Sequence, residues 1–281
     1  MIILFVAIVG LCLGSFINAL VWRLSQQIDD EGEPKKLSGK KAKELSIAHG
    51  RSMCPHCKHA LAWFDLIPVA SWVSLGGKCR YCKAPISVQY PAVELLTAAL
   101  FVISYVAWPY GLEELWMKIG LAWWLIALVG LVALALYDLK YMLLPDRILL
   151  PLIYASGAVL LLQLFLGRPL ATISNVVLSV LIAAGIFWVL FQMSKGAWIG
   201  GGDVKLGILA GILLARPALA FLYLFIASVL GLIVSAPLMA RKKISKETHV
   251  PFGPFLIASL IIVMLWGPSI VDWYTQSFLG L

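Results

Sequence analysis

Long apolar runs dominate the chain and alternate with shorter polar stretches. A helix needs roughly 20 apolar residues to cross the hydrocarbon core of a bilayer, and most of the runs meet that length. The eight runs cover residues 2–22, 90–108, 116–137, 147–166, 170–193, 204–215, 217–239 and 251–272. The sixth run is short, so we expect a helix that begins at the membrane edge or forms half of a broken span.

This pattern predicts an all-α polytopic membrane protein with about eight transmembrane helices. The composition agrees, because 62% of the residues are hydrophobic and 13% are charged, whereas soluble domains are roughly 45–50% apolar and 25% charged. The first run begins at Met1 without a preceding basic segment, so we expect a retained helix rather than a cleaved signal peptide. The net charge is +8. In a membrane protein the positions of Lys and Arg in the loops matter more than this sum, and we expect no nucleic-acid partner.

The distribution of Lys and Arg predicts the orientation in the lipid bilayer. The polar segment 23–88 carries 11 of the 22 Lys and Arg residues. If the N-terminus lies outside, this segment shares one side with loops 138–147 and 194–203 and with the basic run 241–246. Cytoplasmic loops carry the excess of Lys and Arg, so that side is predicted to be cytoplasmic.

Four of the five cysteines form two Cys-x-x-Cys pairs, Cys54 with Cys57 and Cys79 with Cys82. Two such turns about 20 residues apart can close a tetrahedral sulfur site, which suits structural Zn²⁺. The alternative, a pair of redox disulfides, fits a cytoplasmic loop poorly because thiols stay reduced there. The fifth, Cys12, lies in an apolar run and is expected to be buried.

Two aspartates lie at the ends of apolar runs, where an ionised carboxylate is costly without water, a partner or a function. Asp138 ends the third run and Asp203 opens the sixth. Two neighbouring carboxylates share one proton and can act together as general base and general acid. Gly200, Gly201 and Gly202 precede Asp203 and would let a substrate backbone approach it, or would be a linker before a helix that Asp203 caps.

Several other residues keep two interpretations each. Asp146 is either the N-cap of the fourth helix or part of the catalytic site, and Lys205 pairs near Asp203 or binds lipid. Glu94, inside the second run, is either functional or paired with a loop cation. Asn18 makes an interhelical hydrogen bond or forms the wall of a pocket.

Motifs in a specific order cover nearly the whole chain and carry a family resemblance. They are Gly14-Ser15-Phe16 with Asn18 and Arg23, Arg51-Ser52, Cys54-Pro55-His56-Cys57, Ile67-Pro68, Ser71-Trp72, Cys79 to Cys82, Tyr90-Pro91, Glu94 to Thr97, Asp138, Leu144-Pro145-Asp146, Gly200 to Lys205, and Pro251 to Phe255. With these motifs the chain resembles the type IV prepilin peptidases, a GxGD-type family of membrane aspartyl peptidases that are also N-methyltransferases.

The resemblance implies catalytic roles for Asp138 and Asp203 and zinc ligation by the four paired cysteines. It also implies a bacterial inner-membrane enzyme with its active site at the cytoplasmic face. Such enzymes remove the short leader of type IV prepilins or type II secretion pseudopilins and methylate the new N-terminal residue from S-adenosylmethionine. Glu94 and the loop 51–83 are the candidates for the methyl-donor site. The long charged insertion, residues 26–50, departs from the family pattern.

The expected domains are a first transmembrane helix (1–22), a cytoplasmic zinc-binding loop domain (23–88) and a seven-helix membrane aspartyl peptidase domain (89–281). A rival hypothesis is a membrane scaffold or ion-coupled transporter with a structural zinc loop, in which the two aspartates carry ions.

Overall fold

A computed structural model describes residues 1–28, 35, 38–46, 50–169, 172–240 and 251–279. Within these residues the chain forms ten α-helices: α1 (Ile2–Gln27), α2 (Gly39–Glu44), α3 (Ala70–Ser74), α4 (Gln89–Val106), α5 (Leu115–Tyr141), α6 (Asp146–Phe165), α7 (Thr172–Ser194), α8 (Gly201–Leu214), α9 (Pro217–Ala240) and α10 (Gly253–Tyr274). A 3₁₀ turn spans Trp63–Leu66, and a π-helical turn, Thr275–Leu279, follows α10. The basic run 241–246 and much of the charged insertion lie outside the described residues.

Seven of the described helices are long and apolar enough to cross a membrane, namely α1, α4, α5, α6, α7, α9 and α10. The remaining apolar run forms α8, which has 14 residues and is therefore about 21 Å long, shorter than the roughly 30 Å hydrocarbon core. The all-helical membrane fold is confirmed, and the sixth run is short, as its sequence indicated. The three-domain division remains a prediction. The chain separates into two compact units, Met1–Val106 and Ala107–Leu281.

In the first unit, two glycines bring α1 and α4 into close contact. A Cβ atom on Gly10 would lie 2.7 Å from Cα of Ala98, and one on Gly14 would lie 2.6 Å from Cα of Glu94. Glycines four residues apart commonly let membrane helices approach this closely. Cys12 points away from that contact and is exposed, so the expectation that it is buried was wrong.

In the second unit, a similar pair of glycines lies on α8. A Cβ on Gly207 would lie 2.6 Å from the carbonyl oxygen of Ala183, and one on Gly211 would lie 2.5 Å from Cα of Val180, both on α7. The short α8 is thus held against a long neighbour, and it also packs on α6, α9 and α10. This packing fixes the position of its first turn, which carries Asp203.

Candidate functional site

Asp138 is a buried carboxylate in the last turn of α5, with 5% of its surface exposed. The helix ends at Tyr141, and Met142 adopts a left-handed conformation with φ of 53°, a common way to stop a helix. The backbone N–H of Gly253, the first residue of α10, donates a hydrogen bond to the Asp138 carboxylate. Gly253 lies within Pro251 to Phe255, one of the motifs that carry the family resemblance.

Asp203 is the third residue of α8, and Gly200 is the N-cap. The alternative that Asp203 itself caps the helix is therefore wrong. Its carboxylate reaches back to accept a hydrogen bond from the backbone N–H of Gly200, which is one half of a capping box. A negative group is also favourable in the first turn of a helix, because the N-terminal amides are partly positive.

The two carboxyl groups lie near enough for the charge of Asp138 to act on Asp203. They come from separate helices of the second unit, the end of α5 and the start of α8. That both aspartates lie at the cytoplasmic side of the membrane remains a prediction. Asp138 is buried and Asp203 is partly buried. Two acidic groups in such a site hold one shared proton more easily than none, because two negative charges repel in a poorly solvated environment.

The three glycines before Asp203 differ in their surroundings. Gly200 is exposed, and a Cβ on it would make only ordinary contacts, with the Asp203 carboxylate oxygen nearest at 3.9 Å. A Cβ on Gly202 would lie 2.9 Å from Cβ of Leu144, so this glycine is needed for packing. Access for a substrate backbone remains a prediction for all three, and the exposure of Gly200 favours that residue.

Asp146 and Lys205 form an ion pair between the starts of α6 and α8. The Lys205 Nζ lies 2.7 Å from both carboxylate oxygens of Asp146. Asp146 is the first residue of α6 and Pro145 is the N-cap, so the expectation that Asp146 caps the helix was wrong. Of the two interpretations of Lys205, an ion pair near Asp203 or lipid binding, the structure shows an ion pair. Lys205 makes it with Asp146 of α6 from a position two residues after Asp203.

One buried tyrosine near the pair was missed by the sequence analysis. Tyr223 of α9 is fully buried, and the charge of Asp203 acts on its hydroxyl. Among the described residues this hydroxyl has no hydrogen-bond partner. It offers an unused donor close to the aspartates. In the sequence, only its polarity within the run 217–239 distinguished it.

The first unit brings together the four cysteines Cys54, Cys57, Cys79 and Cys82. Their Sγ atoms all lie within 4.8 Å of one another, and those of Cys54 and Cys82 are 3.8 Å apart. Tetrahedral Zn²⁺ with Zn–S bonds of about 2.3 Å requires sulfurs about 3.8 Å apart. The four thiols therefore fit a zinc ion, and none of them is in a disulfide.

The two cysteine turns share one backbone design. The N–H of Cys54 donates to the carbonyl of His59 at 3.0 Å, and that of Cys79 donates to the carbonyl of Ala84 at 2.8 Å. In each turn the lysine after the second cysteine has a positive φ, 61° at Lys58 and 60° at Lys83. Hydrogen bonds from the backbone N–H groups of Cys82 and Tyr81 outweigh burial and lower the pKa of Cys79 to about 7, which favours the thiolate that binds metal.

Comparison with known proteins places these two sites in a family. Residues 8–108 match the model of the bacterial peptidase A24 N-terminal domain, and residues 119–236 match the model of the type IV leader peptidase family. A relative from Aeromonas hydrophila, named prepilin leader peptidase/N-methyltransferase, is 34% identical and covers 96% of this chain and 92% of its own. The chain belongs to the type IV leader peptidase family.

Other relatives with the same name agree at similar length. The Legionella pneumophila protein is 32% identical over 96% of this chain and 93% of its own, and the Pseudomonas aeruginosa protein is 31% identical over 96% and 92%. No solved structure matches the chain. The type IV leader peptidase match contains both aspartates, and the N-terminal match contains all four cysteines. Gly253, whose amide holds Asp138, lies beyond both matched segments.

In this leader peptidase, Glu94 and Asn18 connect α1, α4 and the loop between them. Glu94 is 6% exposed and accepts hydrogen bonds from the N–H of Val69 at 2.7 Å and from the hydroxyl of Ser15. The alternative of a loop cation as its partner is not what the structure shows. Asn18 donates to the carbonyl of Tyr90 at 3.1 Å, so the expected interhelical bond is present, and Asn18 also lines a cavity.

Proposed function

We propose that Asp138 and Asp203 are the catalytic pair that cleaves the leader from type IV prepilins or type II secretion pseudopilins. One observation carries the assignment. The two carboxylates lie on separate helices, near enough for the charge of Asp138 to act on Asp203, and a glycine backbone N–H donates a hydrogen bond to each of them, from Gly253 and Gly200 respectively. A pair that merely stabilised the fold would be matched by cations, whereas no described ion pair includes either aspartate.

The chemistry follows from one proton shared by two carboxyl groups. The ionised carboxylate takes a proton from a water molecule, whose oxygen attacks the scissile carbonyl carbon, while the protonated carboxyl donates its proton to the carbonyl oxygen. The tetrahedral intermediate then collapses and the C–N bond breaks. The leaving amine takes the proton that the first carboxylate had removed from water, and one hydroxyl of the intermediate returns a proton to the second carboxylate. The backbone amides keep the two side chains fixed, so little reorganisation is needed during the reaction.

The exposed position of Gly200 supports a role in substrate access. The Asp203 carboxylate oxygen is the nearest atom to a Cβ built there, at 3.9 Å, so a peptide backbone entering at Gly200 would come close to that carboxylate. Gly201 is next to this position, with the ring of Phe191 3.7 Å from the position of a Cβ. The scissile bond would thus approach the aspartates along the start of α8.

The second proposed activity is methylation of the new N-terminal amine, with S-adenosylmethionine as the methyl donor. Zinc at Cys54, Cys57, Cys79 and Cys82 would be structural, because all four positions of a tetrahedral ion are then filled by protein. The loop around these cysteines contains little apolar mass, so metal ligation would supply much of its stability. The excess of Lys and Arg in the polar loops supports a cytoplasmic active site in a bacterial inner membrane.

The peptidase assignment is tested by Asp138→Asn and Asp203→Asn in cells that co-express a prepilin. We expect each variant to abolish leader cleavage, measured by the mobility of the pilin on gels, while the enzyme accumulates normally. Asp272→Asn is the matched control, because Asp272 is a half-exposed acid near the end of α10, 3.8 Å from Arg216. Normal cleavage by either active-site variant would refute the aspartate mechanism and favour the scaffold or transporter hypothesis.

Methylation is measured separately, by mass spectrometry of the mature pilin N-terminus. A mass increase of one methyl group on the cleaved pilin is expected. Cleaved but unmethylated pilin would leave the peptidase proposal intact and reject the second activity.

A further inference from the structure

A cavity of the first unit lies beside the zinc-ligand cluster, with Cys54 and Cys79 in its wall, and neither aspartate lines it. Its volume is about 310 Å³, which is within the range of roughly 300–1,000 Å³ that small-molecule sites occupy. Helix α1, the first turns of α4 and the loop between them form its walls. Charged and aromatic side chains line it together, including Trp22, Arg51, Trp72, Tyr90 and Glu94.

Two acids line this cavity, Asp65 and Glu94. Asp65 is paired with Arg80, whereas Glu94 is buried and has no positive partner among the described residues. Its two hydrogen-bond donors, the N–H of Val69 and the hydroxyl of Ser15, are both neutral. In the part of the chain that the structure describes, three ion pairs occur and none includes Glu94. A buried carboxylate without a counter-charge is costly. A cationic ligand in the cavity would supply the missing charge.

The backbone beside Glu94 is strained into the position that this contact requires. Val69 has φ of 60° and ψ of −51°, and the N–H of Ala70 donates to the carbonyl of Pro68 at 2.5 Å. This is a γ-turn with a positive central φ, which is rare, and a β-branched residue is especially unfavourable there. Strain of this kind persists where the surrounding structure holds it, and it concentrates at ligand sites.

We infer that this cavity binds S-adenosylmethionine and that Glu94 provides the negative charge for its cationic groups. The inference rests on the methyltransferase half of the proposed function. The ligand carries a sulfonium and an ammonium, which suit a buried carboxylate and aromatic rings, because cations are attracted to ring faces. It also carries a carboxylate, and Arg51, a cavity residue without an ion pair among the described residues, has the complementary charge.

The test is equilibrium binding of S-adenosylmethionine to the purified full-length protein in detergent, comparing wild type with Glu94→Gln. Glutamine keeps an oxygen that can accept from Val69 but removes the negative charge. We expect the affinity to fall roughly tenfold or more, as when one charge of a buried pair is lost. S-adenosylhomocysteine has a neutral sulfur, so its affinity should fall less. Glu44→Gln, at an exposed acid of α2, is the control and should bind as wild type does.

A second variant tests the location without changing charge. Ala19 lines the cavity from α1, so Ala19→Phe should fill part of it and weaken binding of both ligands. Ala99→Phe, on the exposed side of α4, makes the same change outside the cavity and should have no effect. Zinc content and leader cleavage are measured on every variant, and both should remain near the wild-type values.

The outcomes separate the two levels of the proposal. If the wild type binds the methyl donor and methylates pilin but Glu94→Gln and Ala19→Phe bind it equally well, the cavity assignment is wrong and the proposed function stands. If the wild type neither binds the donor nor methylates cleaved pilin, both the cavity assignment and the methyltransferase function are wrong. An equal loss of affinity for both ligands in Glu94→Gln would refute the role of its charge.

Discussion

Replacing Gly253 by alanine should disable the peptidase with little effect on the fold. A Cβ at this position would lie 2.5 Å from Oδ2 of Asp138, where ordinary contact begins at 3.4 Å, so the carboxylate must move by about 0.9 Å (3.4 − 2.5). A misplacement of about 1 Å at a reacting group can lower a rate roughly 100-fold. The φ of Gly253 is not positive, so alanine adds no backbone strain, and the effect should come from the displaced Asp138 alone.

The assay is the initial rate of leader cleavage by purified enzyme over a range of prepilin concentrations. We expect kcat to fall by about two orders of magnitude with little change in KM, since the substituted atom faces the carboxylate. Gly185→Ala is the matched control, because a Cβ there meets nothing within 4 Å, and it should retain full activity. A Gly253→Ala enzyme with wild-type kcat would show that the position of Asp138 does not limit the reaction, and would contradict the catalytic assignment.

Three further results are expected. Wild-type protein should carry about one zinc per chain by elemental analysis. Cys54→Ser should lower this content, whereas the control Cys12→Ser should not. A metal-free preparation with full stability would contradict a structural role for zinc. In the Lys205–Asp146 pair the two side chains are 38% and 50% exposed. A double-mutant cycle of alanine variants, measured by thermal unfolding, should therefore give a coupling free energy below about 1 kcal/mol. A larger value would show that the pair is shielded from solvent. Gly211→Leu should destabilise the protein by about 1–3 kcal/mol or more, because a Cβ lies 2.5 Å from Cα of Val180; Gly157→Leu, in open space, is its control, and equal melting temperatures would contradict the close contact of α7 and α8.

The sequence allowed the helical membrane fold and the cysteine cluster to be predicted well, for physical reasons. Long apolar runs have one stable solution in a bilayer, since every backbone group must be bonded within the segment. Two Cys-x-x-Cys turns likewise have few stable arrangements for four thiols, and ligation of one metal ion is the simplest of them. These predictions needed only the order of residues along the chain, and the four Sγ atoms within 4.8 Å of one another agree with them.

Contacts between distant segments were harder to predict. The amide of Gly253 reaches Asp138 across more than one hundred residues, and periodicity carries no information about such a pairing. The partner of Lys205 was left open for the same reason, as its ion pair depends on how α6 and α8 begin side by side. A usable signal was overlooked in the glycines, since Gly10 with Gly14 and Gly207 with Gly211 have the four-residue spacing typical of close helix contacts.

These glycine pairs also explain how each unit holds an acid at a fixed position, buried for Glu94 and partly buried for Asp203. Gly14 lets α1 approach the backbone of Glu94, which brings Ser15 to its carboxylate. Gly207, four residues after Asp203, lets α8 lie against α7 and so fixes the first turn that carries the aspartate. A buried acid needs donors at fixed positions, because an unsatisfied polar group in a poorly solvated environment costs several kcal/mol. Close helix contact provides that rigidity within one turn of each acid, which no flexible loop of the same length would do.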